Sequence, residues 1–275
     1  MKILLLGANG QLGRALQHLW AGSEVTAWDM AELDITHLEP VRKAINQLQP
    51  HMVVNAAAYT RVDDAETDIE AAFRVNARGP RNLALATAER GIPLLHVSTD
   101  YVFDGKATRP YHEFDRPNPL SVYGRSKLAG EEAVRVGNPN HFIVRTAWLY
   151  HTFGKNFALT ICGLGRKGEV QVVNDQFGSP TYAPHLAQAI NRLLETKAYG
   201  TYHMAGGGGT SWYEFTCQLF KMVGIQSTVT PVNTTQFPRP AQRPSYAVLT
   251  TLQDPRILLP PWEQGVQAFA KERQG

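Results

Sequence analysis

The sequence predicts an α/β protein built on a doubly wound parallel sheet, with a smaller lobe towards the C-terminal end. Three observations support this fold class. Short apolar runs alternate with helical patterns through residues 1–146, which is typical of parallel strands covered by helices on both faces. The first apolar run ends in a glycine-rich turn. Beyond residue 147 the alternation weakens, and glycine and proline become frequent, above all between Pro231 and Pro261.

The elements of the first 146 residues follow in a regular order. Strands are predicted where apolar runs are bounded by turn residues, at residues 3–6, 24–29, 52–57, 94–99 and 142–145. Helices are predicted where apolar residues recur at helical spacing, at residues 11–20, 40–48 and 69–90 and over the segment around Tyr123 and Lys127. Gly91 and Pro93 end the long third helix.

The turn after the first strand has the spacing Gly-x-x-Gly-x-x-Gly. Gly7 would let the chain turn sharply, Gly10 would let the backbone approach a pyrophosphate, and Gly13 would let the helix pack closely on the strand. Unpaired N–H groups at the helix N-terminus would bind the phosphates. Such a turn is often only a turn, but its place between a strand and a helix favours a dinucleotide site. We therefore expect a Rossmann-like dinucleotide-binding domain over residues 1–146, completed by later segments, and a substrate-binding lobe formed mostly by residues 147–275.

An acidic residue follows the second predicted strand. Asp29 would accept hydrogen bonds from the adenosine ribose and repel a 2′-phosphate, which favours NADH. Arg14, His18 or Lys43 could still reach a phosphate, so NADPH stays open as well. In the alternative interpretation Asp29 is a strand-end turn residue.

Tyr123 and Lys127 are spaced i, i+4, so a helix would present both side chains on one face. A lysine cation beside a phenol favours the phenolate and would lower the tyrosine pKa from its ordinary value of about 10. That shift would make the tyrosine a more useful general acid or base. Ser98 or Thr99 would add a hydroxyl for a substrate oxygen at the end of a strand. The pair alone is a weak signal, but beside the glycine-rich turn it indicates a keto-sugar reductase.

The composition favours an enzyme acting on a small molecule. The net charge is +3 without a run of basic residues, which argues against a nucleic-acid or membrane surface. No apolar stretch reaches the ~18 residues of a membrane span, and residues 3–6 are too short for a signal peptide. A cytoplasmic location is expected. Cys162 and Cys217 are predicted to be reduced core residues, since no metal or disulfide pattern accompanies them.

Several stretches in fixed order resemble the extended short-chain dehydrogenase/reductase family nearly end to end. They include Gly-Ala-Asn-Gly-Gln-Leu-Gly at 7–13, Ser-Thr-Asp-Tyr-Val-Phe at 98–103, Tyr-Gly-Arg-Ser-Lys at 123–127 and Asn-Asp-Gln-Phe-Gly-Ser-Pro-Thr at 174–181, with further matches at 54–60, 145–150 and 243–244. The resemblance implies reduction of a dTDP-linked 4-keto-6-deoxysugar with NADPH or NADH. The alternatives are a nucleotide-sugar epimerase or dehydratase, and a non-catalytic NADP-binding regulatory subunit of the same fold.

Two features bear on those alternatives. A dehydratase usually carries an Asp-Glu pair after the threonine, whereas Tyr101 and Val102 follow Asp100 here. A regulatory subunit would be supported by loss of Tyr123 or Lys127, and both are present.

The resemblance also assigns roles to single residues. It makes Tyr123 the proton donor, Lys127 its partner and a ligand of the nicotinamide ribose, and Thr99 the hydroxyl on the keto oxygen. Around the dinucleotide it places Gly10, Gln11, Leu12, Asp29, Asp34, Ile35, Ala58, Tyr59 and Thr60. Along the sugar nucleotide it places Asp100, Tyr101 and Trp148. The alternative interpretations are a core aromatic for Trp148 and a helix or turn cap for Asp100.

One departure from the family concerns metal. Some relatives hold a divalent ion at a subunit contact through acidic residues, but residues 11–20 and 179–192 contain no Asp or Glu. A hard cation such as Mg²⁺ requires several oxygen ligands. We therefore expect no metal site, and a monomer or a metal-independent homodimer.

Overall fold

The computed structural model describes residues 1–274. The first part of the chain alternates strands and helices as expected. The strands are β1 (Ile3–Leu6), β2 (Val25–Trp28), β3 (Met52–Asn55), β4 (Leu94–Thr99) and β5 (His141–Thr146). The helices are α1 (Gln11–Leu19), α2 (Leu38–Leu48), α3 (Ile69–Phe73), α4 (Gly79–Ala88) and α5 (Val122–Gly137).

Shorter elements make up the second part. In order they are β6 (Leu149–Tyr150), α6 (Phe157–Gly165), β7 (Val170–Val173), β8 (Phe177–Gly178), β9 (Thr181–Tyr182), α7 (Ala183–Thr196), β10 (Gly200–His203), β11 (Thr210–Ser211), α8 (Trp212–Val223), β12 (Val229–Val232) and α9 (Trp262–Gln274).

A six-stranded sheet forms the centre, in the order β10-β5-β4-β3-β1-β2. Every neighbouring pair in it is parallel. Helices cover both faces: Leu16 of α1 packs in one apolar core, and Ile45 of α2 and Leu83 of α4 pack in the other. The α/β doubly wound fold predicted from the alternating pattern is confirmed. Two later elements complete the sheet layer, because β10 pairs with β5 and α7 packs against α1.

The long predicted helix at 69–90 contains a different turn in its middle. Residues Arg74–Arg78 form a π-helical segment between α3 and α4, in which the Gly79 N–H donates to the carbonyl of Arg74, five residues earlier. Pro80 has no N–H, so the Asn76 carbonyl cannot receive the usual i→i−4 bond from it. A Cβ on Gly130 of α5 would stand only 2.1 Å from that carbonyl oxygen. The π turn therefore allows α5 to pack closely against this helix.

A separate apolar core joins α6, α8 and α9. It contains Cys162 of α6, Phe215 of α8 and Phe269 of α9. Cys162 is buried, whereas Cys217 on α8 is only half-buried, and both are free thiols. This second core belongs to the part of the chain that we propose as the substrate-binding lobe.

Candidate active site

A cleft of about 520 Å³ opens beyond the carboxyl ends of β1, β3, β4 and β5. Its walls come from the glycine-rich turn, the start of α5, the segment after β5, and helices α6 and α8. An adjoining cleft of about 320 Å³ lies beside the end of β2. Gly10, Ala56, Ala58 and Thr60 line both. Ligands of open parallel sheets bind at this edge.

Polar atoms without a partner concentrate in the larger cleft. Within residues 1–274, five buried side-chain polar atoms have no hydrogen-bond partner. Four of the five belong to residues that line this cleft: Gln11 Oε1, Asp100 Oδ2, Thr146 Oγ1 and Tyr150 Oη. Because buried polar groups are normally paired, this distribution points to a polar ligand that completes them.

The glycine-rich turn has the shape that a dinucleotide pyrophosphate requires. Gly7 has a φ of +76°, and a Cβ there would stand 2.6 Å from the backbone nitrogen of Ala57. A Cβ on Gly13 would stand 2.2 Å from the Gly7 carbonyl oxygen. Gly10 is the N-cap of α1 and offers no side-chain cap to the helix. The first N–H groups of α1 are thus left for a phosphate, and the predicted Gln11 and Leu12 line the larger cleft beside them.

The smaller cleft is lined by Asp29, Asp34 and Ile35, as the dinucleotide interpretation requires. Asp29 also orders the turn, since it accepts hydrogen bonds from the N–H groups of Asn9 at 2.9 Å and Met30 at 2.8 Å. The position of Asp29 therefore fits both a contact with the adenosine ribose and a strand-end turn residue. Among the lining residues within the described chain there is no lysine or arginine, but His37 Nε2 lies 3.5 Å from Asp34 Oδ2.

Tyr59 does not join these residues. Both of its backbone polar groups bind the Asn76 side chain, at 2.8 and 3.1 Å, and its hydroxyl donates to Asp68 Oδ2. It is absent from the lining of either cleft. The structure therefore gives no support to a cofactor contact by its side chain.

Thr99, Tyr123 and Lys127 meet in the larger cleft. Thr99 ends β4 and accepts a hydrogen bond from the Tyr101 N–H at 3.2 Å, which turns the chain at the sheet edge. Ser121 caps α5 by accepting from the Gly124 N–H at 3.1 Å, so Tyr123 lies in the first turn of that helix. The Tyr101 ring meets the Tyr123 ring edge-on at 5.4 Å.

The electrostatics of Tyr123 differ from the prediction. Burial raises the pKa of the Tyr123 phenol above its ordinary value, the Thr99 hydroxyl opposes that shift, and Asp100 and Tyr101 add to it. Lys127 is not among the groups that shift this pKa, and its Nζ donates to the Val97 carbonyl of β4 at 2.6 Å. The lowering of the Tyr123 pKa by Lys127 is not seen in the protein without ligands and stays a prediction. A neutral phenol, however, is the form that can donate a proton.

Asp100 is a buried carboxyl group at the same edge. It is 1% exposed, and its Oδ1 accepts from the Thr99 hydroxyl at 2.9 Å. Its Oδ2 has no partner. Burial raises its pKa to about 7, although the hydrogen bond from Thr99 acts in the opposite direction. This carboxyl group can therefore gain or lose a proton near neutral pH.

Aromatic rings form the far wall of the cleft. Trp148 has a φ of +45° and stacks on Trp212 with ring centroids 3.4 Å apart. Phe157 lies 4.3 Å from the Trp212 ring. Trp148 was predicted at the site from the sequence, whereas Trp212 and Phe157 were not. The capping box at Ser211, present in the structure, could have predicted a helix beginning at Trp212, but no local pattern indicates the stacking partner.

Within residues 1–274, no three His, Cys, Asp or Glu side chains are grouped so that they could hold a metal ion. None of the helices in that range is long and apolar enough to cross a bilayer.

The parallel sheet, the glycine cradle and the Thr99, Tyr123 and Lys127 group together define an oxidoreductase of the extended short-chain dehydrogenase/reductase type. The chain belongs to the family described as the RmlD substrate binding domain, whose model matches residues 1–274.

Relatives of known name resemble the chain over nearly its whole length. A dTDP-4-dehydrorhamnose reductase from Aggregatibacter actinomycetemcomitans is 39% identical over 264 residues, 90% of each chain. The crystal structure of one from Clostridium acetobutylicum has a TM-score of 0.98 and 43% identity, covering 100% of both chains. That of one from Bacillus anthracis, in complex with NADP, has a TM-score of 0.96 and 40% identity, covering 99% of this chain and 100% of that one.

Proposed function

We propose that this protein is a dTDP-4-dehydrorhamnose reductase. It reduces dTDP-4-dehydro-6-deoxy-L-mannose to dTDP-L-rhamnose with NADPH or NADH, in the synthesis of dTDP-rhamnose for cell-surface polysaccharide. The observation that supports this best is the meeting of Thr99, Tyr123 and Lys127 in a cleft continuous with the glycine cradle. The names of the relatives supply the identity of the sugar nucleotide.

The dinucleotide would be held by the N-terminus of α1 and by the lining of the smaller cleft. When bound, the reduced nicotinamide supplies the hydride for the keto carbon. Tyr123, a neutral phenol, gives its proton to the sugar oxygen, which becomes the product hydroxyl. Thr99 would turn its one hydroxyl proton from Asp100 to the same oxygen and keep that oxygen near Tyr123. Lys127 holds the nicotinamide ribose, and solvent returns a proton to Tyr123.

The remaining cleft residues would bind the sugar nucleotide. Asp100 offers the unpaired Oδ2 to a sugar hydroxyl. Tyr101 and Trp148 also line the larger cleft, and the flat indole face of Trp148 suits a ring of the ligand.

The preference between NADH and NADPH depends on the charges that line the smaller cleft. The relative from Bacillus anthracis was solved with NADP. In this chain, the lining of the smaller cleft within residues 1–274 includes Asp29 and Asp34 and no cationic side chain. We therefore propose that NADH binds at least as well as NADPH, and the dissociation constants of both cofactors for Asp29→Ala test this.

The decisive assay follows oxidation of NADH or NADPH by its loss of absorbance. Oxidation should require a dTDP-4-keto-6-deoxyhexose and yield the alcohol in equal amount. UDP-glucose and UDP-galactose serve as matched controls without the keto group. No oxidation with the keto sugar, or equal oxidation with the controls, would remove the proposal. An epimerase would isomerise its sugar without consuming the cofactor, and a regulatory subunit would bind NADP and turn over nothing.

We also propose a cytoplasmic location and a monomer or metal-independent homodimer. Free thiols at Cys162 and Cys217 suit a reducing compartment. Gel filtration coupled to light scattering, with and without EDTA, tests the oligomer. A mass that falls on chelation would contradict metal independence.

A further inference from the structure

Behind the catalytic cleft, a buried chain of hydrogen-bonding groups leads to Lys127. Asn55 at the end of β3 and His96 in β4 are both completely buried. Asn55 Nδ2 lies 3.1 Å from His96 Nδ1, and His96 Nε2 lies 3.5 Å from Lys127 Nζ. We refer to these three residues as the Asn55–His96–Lys127 chain. The mechanism proposed above gives no role to Asn55 or His96.

The backbone fixes the direction of the hydrogen bond between Asn55 and His96. Asn55 Oδ1 accepts a hydrogen bond from the Ala57 N–H at 3.1 Å. The amide nitrogen must therefore face His96 and donate to Nδ1, because an amide NH₂ group cannot accept. Nδ1 consequently carries a lone pair.

His96 itself is neutral. Burial holds its pKa well below the ordinary value. A neutral imidazole carries one proton. Since Nδ1 accepts from Asn55, that proton lies on Nε2, the nitrogen that faces Lys127.

An N–H directed at Lys127 Nζ favours the neutral amine of the lysine over its ammonium. An ammonium has three donors and no acceptor, so the Nε2–H would oppose it. A neutral amine accepts from Nε2–H and still donates to the Val97 carbonyl at 2.6 Å. We propose that Asn55 and His96, by fixing the Nε2–H tautomer, lower the proton affinity of Lys127 and so favour its neutral amine in the protein without ligands.

The other ionisable groups around Lys127 do not reverse this preference. Burial lowers the pKa of Lys127 to about 8, and Glu131, one turn further along α5, acts in the opposite direction. Glu131 is however already paired with Arg145 of β5, at 2.9 and 2.6 Å. Asp100, after β4, and Tyr123, in the first turn of α5, line the same cleft as Lys127. Glu131 therefore attracts Arg145 as well as Lys127, which weakens its effect on the Lys127 pKa.

This inference deepens the proposed function, and its catalytic meaning rests on that function. Lys127 would change charge near neutral pH, within the range where such an assay is run. Asn55 and His96 would then be positioning residues that set the proton affinity of the lysine without touching substrate.

The first test reads the tautomer directly in the protein without substrate or cofactor. Two-bond ¹H–¹⁵N correlation spectra of the imidazoles distinguish Nε2–H from Nδ1–H, and loss of one signal in His96→Gln assigns His96. We expect Nε2–H. An Nδ1–H tautomer or an imidazolium at neutral pH would overturn the proposal, and so would a lysine titration at its ordinary value of about 10.4. Failure of the keto-sugar assay would leave these results unaffected.

Substitution of Asn55 then tests whether the His96 tautomer sets the proton affinity of Lys127. Asn55→Asp keeps an acceptor for the Ala57 N–H and also accepts from Nδ1–H, so Nε2 becomes an acceptor for the ammonium. The Lys127 proton affinity, read from ¹³Cε shifts, should rise by about tenfold or more. The control Asn55→Asp/His96→Leu keeps the added charge and removes the imidazole. An equal rise in both variants would assign the effect to charge alone and overturn the role of the tautomer.

His96→Gln is the conservative variant. Its amide oxygen can accept from Asn55 while its NH₂ group donates to Lys127, so the donor pattern of the chain is kept. We expect the Lys127 titration to stay near that of the unaltered protein. A rise equal to that of Asn55→Asp would count against the proposal. If the Asp variants fail to fold, the tautomer measurement and this variant still decide the question.

Discussion

Removing the Tyr123 hydroxyl is the sharpest test of the catalytic assignment. Tyr123→Phe keeps the ring and its edge-on contact with Tyr101 at 5.4 Å. The phenol is buried in the cleft, and burial holds its pKa above the ordinary value, so the proton is present throughout the usual assay range. Loss of a general acid lowers the rate by about 10²–10⁴-fold. At 1.36 kcal/mol per tenfold, this corresponds to roughly 3–5 kcal/mol of transition-state stabilisation.

The fold and cofactor binding should survive this change, since one neutral hydrogen bond contributes only about 1 kcal/mol. Steady-state kinetics give kcat, circular dichroism reports the fold, and fluorescence titration with NADH reports cofactor binding. Tyr199→Phe is the matched control, because Tyr199 packs on Phe142 away from the cleft. Lys127→Met should resemble Tyr123→Phe but also weaken cofactor binding. Near-normal kcat in folded, cofactor-binding Tyr123→Phe would refute the assignment.

Four further outcomes follow from the site. Asp29→Ala should bring the dissociation constants of NADH and NADPH closer together by weakening NADH binding, because a ribose acceptor and a negative charge are lost. An unchanged ratio of the two dissociation constants would show that Asp29 is only a turn residue. Asp100→Asn should stabilise the protein by about 2–3 kcal/mol more at pH 8 than at pH 5 in urea unfolding. The reason is that a carboxyl whose pKa is raised from 3.8 to about 7 costs stability as pH rises through that interval, and equal effects at both pH values would contradict it. Gly178→Ala would place a Cβ 2.4 Å from Trp148 Cε2, so KM for the sugar nucleotide should rise by up to about tenfold, whereas an unchanged KM would place the Trp148 stack outside the substrate site. Activity should survive exhaustive EDTA treatment, and a loss that Mg²⁺ restores would show a required metal.

Much of the fold could be predicted because its causes are local. Ile3–Leu6 is apolar throughout and lies buried between two parallel neighbours. The glycine turn follows directly from spacing, since Gly7 and Gly13 meet backbone atoms that leave no room for a side chain. The i, i+4 spacing of Tyr123 and Lys127 likewise placed both at one cleft. In each case a few adjacent residues determine the geometry.

The middle of the long helix at 69–90 shows where local patterns fail. Apolar spacing correctly predicts a helical segment, but the π turn at Arg74–Arg78 depends on both Pro80 and the close approach of α5 at Gly130. The sixth strand, Gly200–His203, was also missed, because its pairing with β5 is a contact between residues far apart in the chain.

The sequence by itself determined the parallel sheet, the glycine cradle and the identity of the groups at the cleft, since periodicity and spacing act over a few residues. Only the tertiary structure decided their charge states and partners. Lys127 donates to Val97 and faces His96, and Trp148 stacks on Trp212 from a distant helix. The physical reason is that desolvation and hydrogen-bond direction depend on every element packed around a group, and no local pattern in the chain records that packing.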